Sequence, residues 1–321
     1  MAASACIVCG GTLEHSQIET REMMFGTREP FVYDGCSACG TLFLRDIPND
    51  MSRFYPDEYY SFGRVRVRQW KHRLNRLILP LYLQSSTFAK WMGRVRGFPE
   101  SVQVLSRLRI TADARILDVG SGGGRYIARL YGLGFSHLLG VDKYIEDDIA
   151  LAPGVRICRA EGKEIGDTFD VVTSHHSFEH LPDPHESFEH LARLVSSSGA
   201  LVIRTPNAAS WTAREYGAHW FALDPPRHLV VYTPESMRIL ADEHGFRVEE
   251  VTFDSQPEEI IFSEQYRRDI PYNAPNSYAN TGENGPFAVE ELREFNRKTR
   301  ELNAAGNAGN MCLVLRRGHG D

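Results

Sequence analysis

Residues 115–125 read Arg115-Ile-Leu-Asp-Val-Gly-Ser-Gly-Gly-Gly-Arg125, and this stretch decides the fold. Its first half, Arg115 to Val119, is a short apolar run typical of a buried strand, and the segment Gly124 to Leu133 predicts a helix. Glycines between a strand and a helix let the backbone approach a ligand closely and point helix amides toward it. A nicotinamide-type fingerprint would need a third glycine at position 125, where this chain has arginine.

The alternation of strand and helix continues toward the C-terminus. The predicted strands are 138–142, 155–159, 169–173, 199–204, 246–253 and 311–316, and the predicted helices are 184–195 and 234–244. Such an alternation predicts an α/β fold with a doubly wound, mainly parallel sheet.

Carboxylates at the ends of the predicted strands are candidates for cofactor binding. Asp142 ends the second strand about twenty residues after the glycines, where a carboxylate can accept hydrogen bonds from both ribose hydroxyls. Glu161 ends the third strand, at a position that can reach an adenine amino group. The alternative for Asp142 is an ordinary carboxylate in a turn. The predicted cofactor site consists of Asp118, Gly120, Gly122, Gly124, Asp142 and Glu161.

Together these motifs resemble the class I S-adenosylmethionine-dependent methyltransferases. The likeness is strongest to the branch that joins a cysteine-pair zinc module to the methyltransferase domain, often in sugar and polysaccharide pathways. The matching segments are Leu117–Gly124, Val141–Asp142, Phe169–Val172, Phe178–Pro184, Thr205–Asn207 and Asp224–Leu229. The resemblance implies S-adenosylmethionine as cofactor and a Rossmann-like, seven-stranded sheet whose last strand is antiparallel. The chain departs from the family at 143–154, which is too short for a full helix.

The catalytic candidates follow the fourth strand. Transfer of a methyl group to a hydroxyl requires alignment of the two reactants and removal of a proton. Histidine suits the second task because its ordinary pKa of about 6.5 lies near cellular pH. The resemblance places Glu179 and His180 at the signature position, so we predict His180 as the base, His176 as the second candidate and Glu179 as the group that orients the base. The alternative is a structural His180, with transfer driven by proximity alone.

A second candidate region, Trp220 to His228, follows the fifth strand. Aromatic side chains beside Arg227 and His228 predict an acceptor pocket that stacks on a ring and pairs with a phosphate or carboxylate. Packing of an aromatic loop explains the aromatic residues equally well.

Four of the six cysteines form two C-x-x-C-G pairs near the N-terminus. Two residues between cysteines let both sulfurs converge on one ion, and four thiolates leave no open coordination position. Cys6, Cys9, Cys36 and Cys39 therefore predict a structural zinc in a ribbon-like module, with redox dithiols or cysteines of no special role as the alternative. Cys158 and Cys312 lie in apolar runs and are expected to be buried.

Composition and charge limit the possible classes of protein. The net charge of −6 gives the whole chain no general attraction to nucleic acid or to anionic lipid, and the apolar fraction of 42% is that of a soluble globular protein. We expect no membrane span and a cytoplasmic location. The predicted organisation is a zinc-ribbon-like module at 1–45, a basic, partly helical linker at 46–110, and a methyltransferase domain at 111–317 with a substrate-shaping insertion at 254–310.

The linker carries an unusual run of positive charge. Nine Lys or Arg residues and no acidic residue lie between Arg64 and Pro99. A helical pattern from Leu74 to Met92 is predicted to break at Pro80. A solvated face or a lid explains the charge, while peripheral docking of residues 64–96 on lipid-linked or phosphate-bearing material is the alternative.

The sequence thus favours methyl transfer to a hydroxyl or carbon of a small molecule, such as a nucleotide-linked or polysaccharide-precursor sugar. A second possibility is an RNA or protein methyltransferase that uses the zinc module as a reader, although the scarcity of cations between the cysteine pairs argues against it. A third is a non-catalytic, cofactor-binding scaffold. A nicotinamide oxidoreductase is disfavoured by Arg125. The oligomeric state stays open.

Overall fold

The computed structural model describes residues 5–13, 16–55, 65, 67–84, 87, 91, 95 and 100–318. The strands are β1 Ser16–Arg21, β2 Pro30–Gly35, β3 Leu42–Leu44, β4 Arg115–Val119, β5 His137–Val141, β6 Ile149–Ala152, β7 Val155–Cys158, β8 Phe169–His175, β9 Val195–Pro206, β10 Val230–Val231, β11 Phe246–Phe253 and β12 Asn310–Arg317. The helices are α1 Gln69–Gln84, α2 Glu100–Gln103, α3 Arg125–Leu133, α4 Pro184–Leu194, α5 Trp211–Tyr216, α6 Pro234–Glu243, α7 Pro257–Arg267, α8 Tyr278–Thr281 and α9 Val289–Ala304.

The large sheet has the strand order β11-β12-β9-β8-β4-β5-β7-β6. Strand β4 pairs in parallel with β5 and β8, and β5 with β7 and β8 with β9 are parallel as well. Strand β12 runs antiparallel to both β9 and β11. The predicted mainly parallel α/β sheet with an antiparallel last strand is therefore confirmed.

The predicted count of seven strands is wrong, because the described part of the chain forms a sheet of eight. The additional strand is β6, which pairs antiparallel with β7 at the edge of the sheet. It lies in the short connection between β5 and β7. A parallel connection usually needs a dozen or more residues and a helix, and this chain instead makes a hairpin with Gly154 in its turn, at φ +75°.

The first of the parallel strands is buried on both faces. Ile116 and Leu117, which point to opposite sides of β4, are both fully buried. Helix α3 covers one side with Ile127 and Leu130. This packing explains why β4 is a continuous apolar run rather than an alternating one.

The N-terminal strands share a sheet with the larger domain. Strands β1, β2 and β3 form an antiparallel set whose last member pairs with β10, through Val230 opposite Phe43 and Val231 opposite Leu42. Thr233 also donates a hydrogen bond from its hydroxyl to the Cys39 carbonyl at 2.6 Å. The cysteine-bearing segment is therefore anchored to the loop that precedes α6.

Helix α1 runs through Pro80, so the predicted break at that residue is wrong. Proline removes the amide that would bond to the carbonyl of Arg76, but the helix is held on both sides of this gap. The Arg76 guanidinium donates to the Gly134 carbonyl at 3.0 Å, and Tyr82 and Leu83 are buried beyond the proline. Met92, the predicted end of this helical pattern, lies outside the described residues. Among the described helices, none has the length and apolar character needed to cross a membrane.

The segment 254–310 folds into α7, α8 and α9 rather than a long loop. Helix α7 carries the buried Glu259, whose carboxylate accepts from Thr212 at 2.6 Å and from the Trp220 indole at 2.9 Å. Aromatic side chains of this segment, including Phe262 and Phe287, form a small core of their own. The segment is thereby fixed against the loop that follows β9.

Candidate active site

The turn after β4 has the backbone conformation that glycine permits. Gly120, Gly122 and Gly124 have φ angles of +76°, +51° and +80°. A Cβ on Gly120 would also stand 2.2 Å from the hydroxyl of Ser177, which itself bonds to the Val119 carbonyl at 3.1 Å. Glycine at 120 is thus required both by conformation and by the close approach of the loop that carries the catalytic candidates.

Asp142 lies beside this turn and binds it directly. One carboxylate oxygen accepts the Gly122 amide at 2.8 Å, and the other accepts the Tyr144 amide at 2.8 Å. Each carboxylate oxygen has two lone pairs, so both oxygens keep capacity for ribose hydroxyls. The structure therefore brings Asp142 and the glycine turn together, as a cofactor site requires.

Asp118 is placed beneath the turn rather than in the crevice. Its side chain is buried and accepts a hydrogen bond from Thr173 at 2.7 Å. Burial raises its pKa to about 7, the charge of Asp142 adds to the effect, and the Thr173 bond opposes it. Its geometry indicates support of the turn, and its predicted contact with the cofactor stays a prediction.

Glu161 stands at the end of β7 between two lysines. Its carboxylate lies 3.2 Å from Lys143 and 2.5 Å from Lys163, and these contacts lower its pKa. Since Lys143 directly follows Asp142, Glu161 is on the same edge of the crevice as the ribose candidate. The adenine contact predicted for Glu161 stays a prediction.

His176 follows β8 in a left-handed conformation, with φ +51°. Non-glycine residues adopt this region rarely, and such outliers gather at functional sites. Its Nε2 is in contact with the Arg204 guanidinium, and its Nδ1 is 3.4 Å from Glu179 Oε1. Both ring nitrogens are engaged, which makes His176 a link between Arg204 and Glu179.

His180 has a different arrangement. Its Nδ1 lies 2.8 Å from the Arg227 carbonyl and 3.1 Å from the Tyr55 hydroxyl. Because a carbonyl only accepts, these partners assign the proton to Nδ1 and leave a lone pair on Nε2. Burial, with a smaller contribution from His228, lowers the pKa of His180 to about 4, so the ring is neutral at neutral pH.

Glu179 is fully buried between the histidines. Burial alone would raise its pKa, but His176 and the nearby His228 and His180 lower it to about 2. Its Oε2 accepts from Thr205 at 3.2 Å, and its Oε1 lies 3.9 Å from His228 Nε2. The ligand atoms of Glu179, His180 and His228 lie within 4.8 Å of one another, so this set has the chemistry to hold a divalent cation.

Two aromatic residues of the site were missed by the sequence reasoning. Tyr55 stacks on Tyr144 with ring centroids 5.8 Å apart, and its hydroxyl reaches His180. Tyr144 is adjacent to the Asp142 edge, so this stack joins the cofactor side to the catalytic side. The aromatic richness around position 55 was visible in the sequence, but the partner lies far away along the chain.

The predicted acceptor pocket at 220–228 needs correction. Arg227 is fully buried, and its guanidinium pairs with Asp224 at 2.5 Å and with Glu22 of the N-terminal segment at 3.2 Å. Trp220 is buried as well, and its indole donates to Glu259. Arg227 is thus a buried structural cation that holds two parts of the chain together, and its positive charge is already paired with carboxylates of the fold. Its neighbour His228 does reach the site, with its ring centroid 4.8 Å from that of His180.

The four N-terminal cysteines converge, as predicted. Cys6 Sγ and Cys39 Sγ are 3.7 Å apart, and Cys9 Sγ and Cys36 Sγ are 3.6 Å apart. These distances are far longer than a disulfide and match the sulfur separation of about 3.8 Å in a tetrahedral zinc site. Gly10 and Gly40 follow each pair with φ +67° and +73°, so both turns repeat one geometry. The residues therefore fit a closed, four-thiolate metal site.

The comparison with protein families agrees with this geometry. The family described as a methyltransferase domain matches residues 68–251, more than half of the chain. The chain belongs to this family and is an S-adenosylmethionine-dependent methyltransferase. A curated relative is a ubiquinone biosynthesis O-methyltransferase from Maricaulis maris (strain MCS10), which is 28% identical over an alignment of 197 residues; the match covers 54% of this chain and 72% of the relative.

Solved structures of similar proteins add nothing beyond the family match, since their TM-scores are below 0.5. A S-adenosylmethionine-dependent methyltransferase from Archaeoglobus fulgidus is 23% identical, with a TM-score of 0.42 over 72% of this chain and 99% of that one. An O-methyltransferase of a multienzyme from Brevibacillus brevis, in complex with S-adenosyl-L-homocysteine, is 16% identical, with a TM-score of 0.42 over 76% of this chain and 79% of that one.

Proposed function

We propose that this methyltransferase transfers the methyl group to a hydroxyl of a small, ring-bearing acceptor, with His180 as the general base. The observation that carries the proposal is the one-sided hydrogen bonding of His180, whose Nδ1 faces the Arg227 carbonyl while Nε2 keeps a lone pair. A hydroxyl acceptor must lose a proton during transfer, and a neutral, oriented imidazole can take it.

The other residues of the site have supporting roles in this proposal. The glycine turn and Asp142 hold the cofactor, which supplies an electrophilic methyl group when bound. Asp118 supports the glycine turn from beneath, and Glu161 contacts the adenine at the edge of the crevice. Glu179, whose pKa is lowered to about 2, stabilises a positive charge on His180 after the proton has moved. His176 orients Glu179 and is not the base, because both of its ring nitrogens are engaged.

The class of acceptor is proposed from two different observations. A nucleotide-linked or polysaccharide-precursor sugar follows from the sequence resemblance, but the cation expected to meet its phosphate, Arg227, is paired inside the fold. An aromatic hydroxyl is favoured by the aromatic stack of Tyr55 on Tyr144 beside His180, and the Maricaulis maris relative is named as an O-methyltransferase of ubiquinone biosynthesis. Both acceptors present a hydroxyl to the same base, so the proposed chemistry is common to them.

We further propose that Cys6, Cys9, Cys36 and Cys39 bind one structural zinc. The support is the convergence of the four sulfurs and the repeated turn geometry. A zinc there would stabilise the segment that supplies Glu22 to Arg227, whose carbonyl orients His180. The zinc module would then affect catalysis only by holding His180 in position.

The test uses methyl-labelled S-adenosylmethionine with purified protein and two acceptor panels, catechol-type phenols and nucleotide-linked sugars. Label on a hydroxyl of either panel, lost in His180→Ala, supports the proposal and identifies the acceptor class. Label on carbon or nitrogen contradicts hydroxyl transfer. Label found only in RNA or protein, after incubation with the corresponding extract fractions, contradicts the small-molecule proposal.

A further inference from the structure

The outer face of helix α1 is apolar although it faces solvent. Four large side chains along it are more than half exposed, with exposed fractions from 56% to 77%, namely Trp70, Leu74, Leu77 and Leu81. They recur every three or four residues, which is the spacing of one face of an α-helix. Soluble proteins seldom expose such a continuous stripe unless something covers it.

The opposite face of α1 is firmly attached to the domain. His72 and Asn75 bond to the carbonyls of Tyr131 and Gly132, at 2.9 Å and 2.6 Å. Leu79 and Tyr82 are buried on that same side. The inward face of the helix is thus already occupied, and the exposed stripe lies on the opposite face of α1.

Positive charge borders the stripe on both sides. At the rotation of an α-helix, Lys71 and Arg73 lie on opposite flanks of the Trp70–Leu74–Leu77 line, and both are exposed. Arg68, just before the helix, is exposed as well. The surrounding stretch of sequence from Arg64 to Pro99 has nine basic residues and no acidic one, in a chain whose net charge is −6.

We propose that this face of α1 docks the enzyme on an anionic lipid surface. The combination of Trp and Leu on one face with Lys and Arg at its borders is the pattern of helices that lie in a membrane interface. Lipid headgroups of negative charge complement the cations, while the acyl boundary takes the apolar stripe. The docking is peripheral, and α1 is attached at the C-terminal end of α3, whereas the glycine turn precedes the N-terminal end of α3.

A second copy of the chain fits this face less well. A two-fold dimer would place the same face on itself, and this stretch of sequence contains no acidic residue that could pair with Lys71 or Arg73 of the other copy. Self-association therefore leaves these cations without partners, whereas an anionic surface neutralises them. The charge pattern therefore selects lipid over self-association.

The test is co-sedimentation of the full chain with vesicles of phosphatidylcholine alone or mixed with phosphatidylglycerol. We expect binding to the mixed vesicles that weakens as salt rises, and little binding to the neutral ones. The variants Leu74→Glu with Leu77→Glu, and Lys71→Glu with Arg73→Glu, should each lower the partition coefficient about tenfold or more. These side chains are exposed, so both variants should keep the wild-type thermal unfolding midpoint.

Matched controls come from α9, where Val289 is 46% exposed and the Arg293 side chain is 76% exposed. Val289→Glu and Arg293→Glu should bind vesicles like the wild type. Equal binding to neutral vesicles, or unchanged binding of the α1 variants, would overturn the proposal. So would a vesicle-free dimer in light scattering that Leu77→Glu dissolves, because a second copy would then be the occupant.

Discussion

The two sides of the crevice are built in different ways. The cofactor side consists of residues close together in the sequence, with the glycine turn, Asp142 and Glu161 all lying between β4 and the residues just after β7. The catalytic side combines distant segments, since His180 is held by the carbonyl of Arg227 and by Tyr55, and Arg227 pairs with Glu22. The first side depends on local backbone geometry, and the second depends on how the N-terminal segment docks.

The largest expected effect comes from replacing two of the cysteines. This change should disrupt the catalytic side of the crevice and leave the cofactor side intact. Apparent binding free energies of structural zinc sites are about 10–16 kcal/mol at pH 7. Cys36→Ser with Cys39→Ser should therefore lose the zinc and lower the turnover number about a hundredfold or more. Affinity for S-adenosylhomocysteine should change by less than about 0.5 kcal/mol, since distant sites act independently. Elemental analysis, turnover assays and calorimetry measure the three quantities.

Cys158→Ala is the matched control, since Cys158 lies at the end of β7 away from the cluster. It should retain about one zinc per chain. If the double cysteine variant stays active, the catalytic side does not depend on the module. If the wild type contains no zinc, the proposed metal site is wrong.

A comparable loss of turnover should come from replacing the base. His180→Ala should reduce the turnover number by roughly 10²–10⁴-fold, the usual contribution of general base catalysis. His176→Ala, in the adjacent but fully engaged histidine, should have a smaller effect. A loss below tenfold in His180→Ala would favour transfer by proximity alone.

The pH dependence of the activity tests the role of His180 as the base. A base works in its unprotonated form, and the pKa of His180 is lowered to about 4. Activity should thus be level above about pH 5 and fall as the pH drops through about 4. Metal content serves as the check, because loss of a second metal equivalent with His180→Ala would point instead to a cation held by Glu179, His180 and His228.

Replacing Arg227, the buried cation that joins the N-terminal segment to the loop after β9, should lower the stability of the fold. Arg227→Met leaves the carboxylates of Glu22 and Asp224 buried without their partner, which should lower the free energy of unfolding by about 3–5 kcal/mol. Urea unfolding measures this loss. Adding Glu22→Gln to Arg227→Met should recover part of it, since one uncompensated charge is removed. Arg293→Met, at an exposed position, should change the free energy of unfolding by less than about 0.5 kcal/mol.

The glycine turn and the carboxylate beside it could be predicted from the sequence for a physical reason. A positive φ at Gly120, Gly122 and Gly124 and a carboxylate after the next strand are local requirements, and they leave local signatures. The antiparallel strand β6 was not predicted, because the short connection only excluded a helix. The burial of Arg227 was missed as well, since its partner Glu22 is remote in the sequence and no local pattern reveals such a pairing.

The smallest expected effect tests the cofactor side alone. Asp142→Ala should weaken the binding of S-adenosylhomocysteine by about 1–3 kcal/mol, through lost ribose hydrogen bonds and a looser turn. Asp142→Asn keeps one acceptor oxygen, so it should lose less than the alanine variant. Asp147→Ala, at an exposed position in the same connection, is the matched control and should bind like the wild type. Calorimetry measures all three affinities. Unchanged affinity in Asp142→Ala would remove this carboxylate from the cofactor site and leave the glycine turn as the main contact on that side.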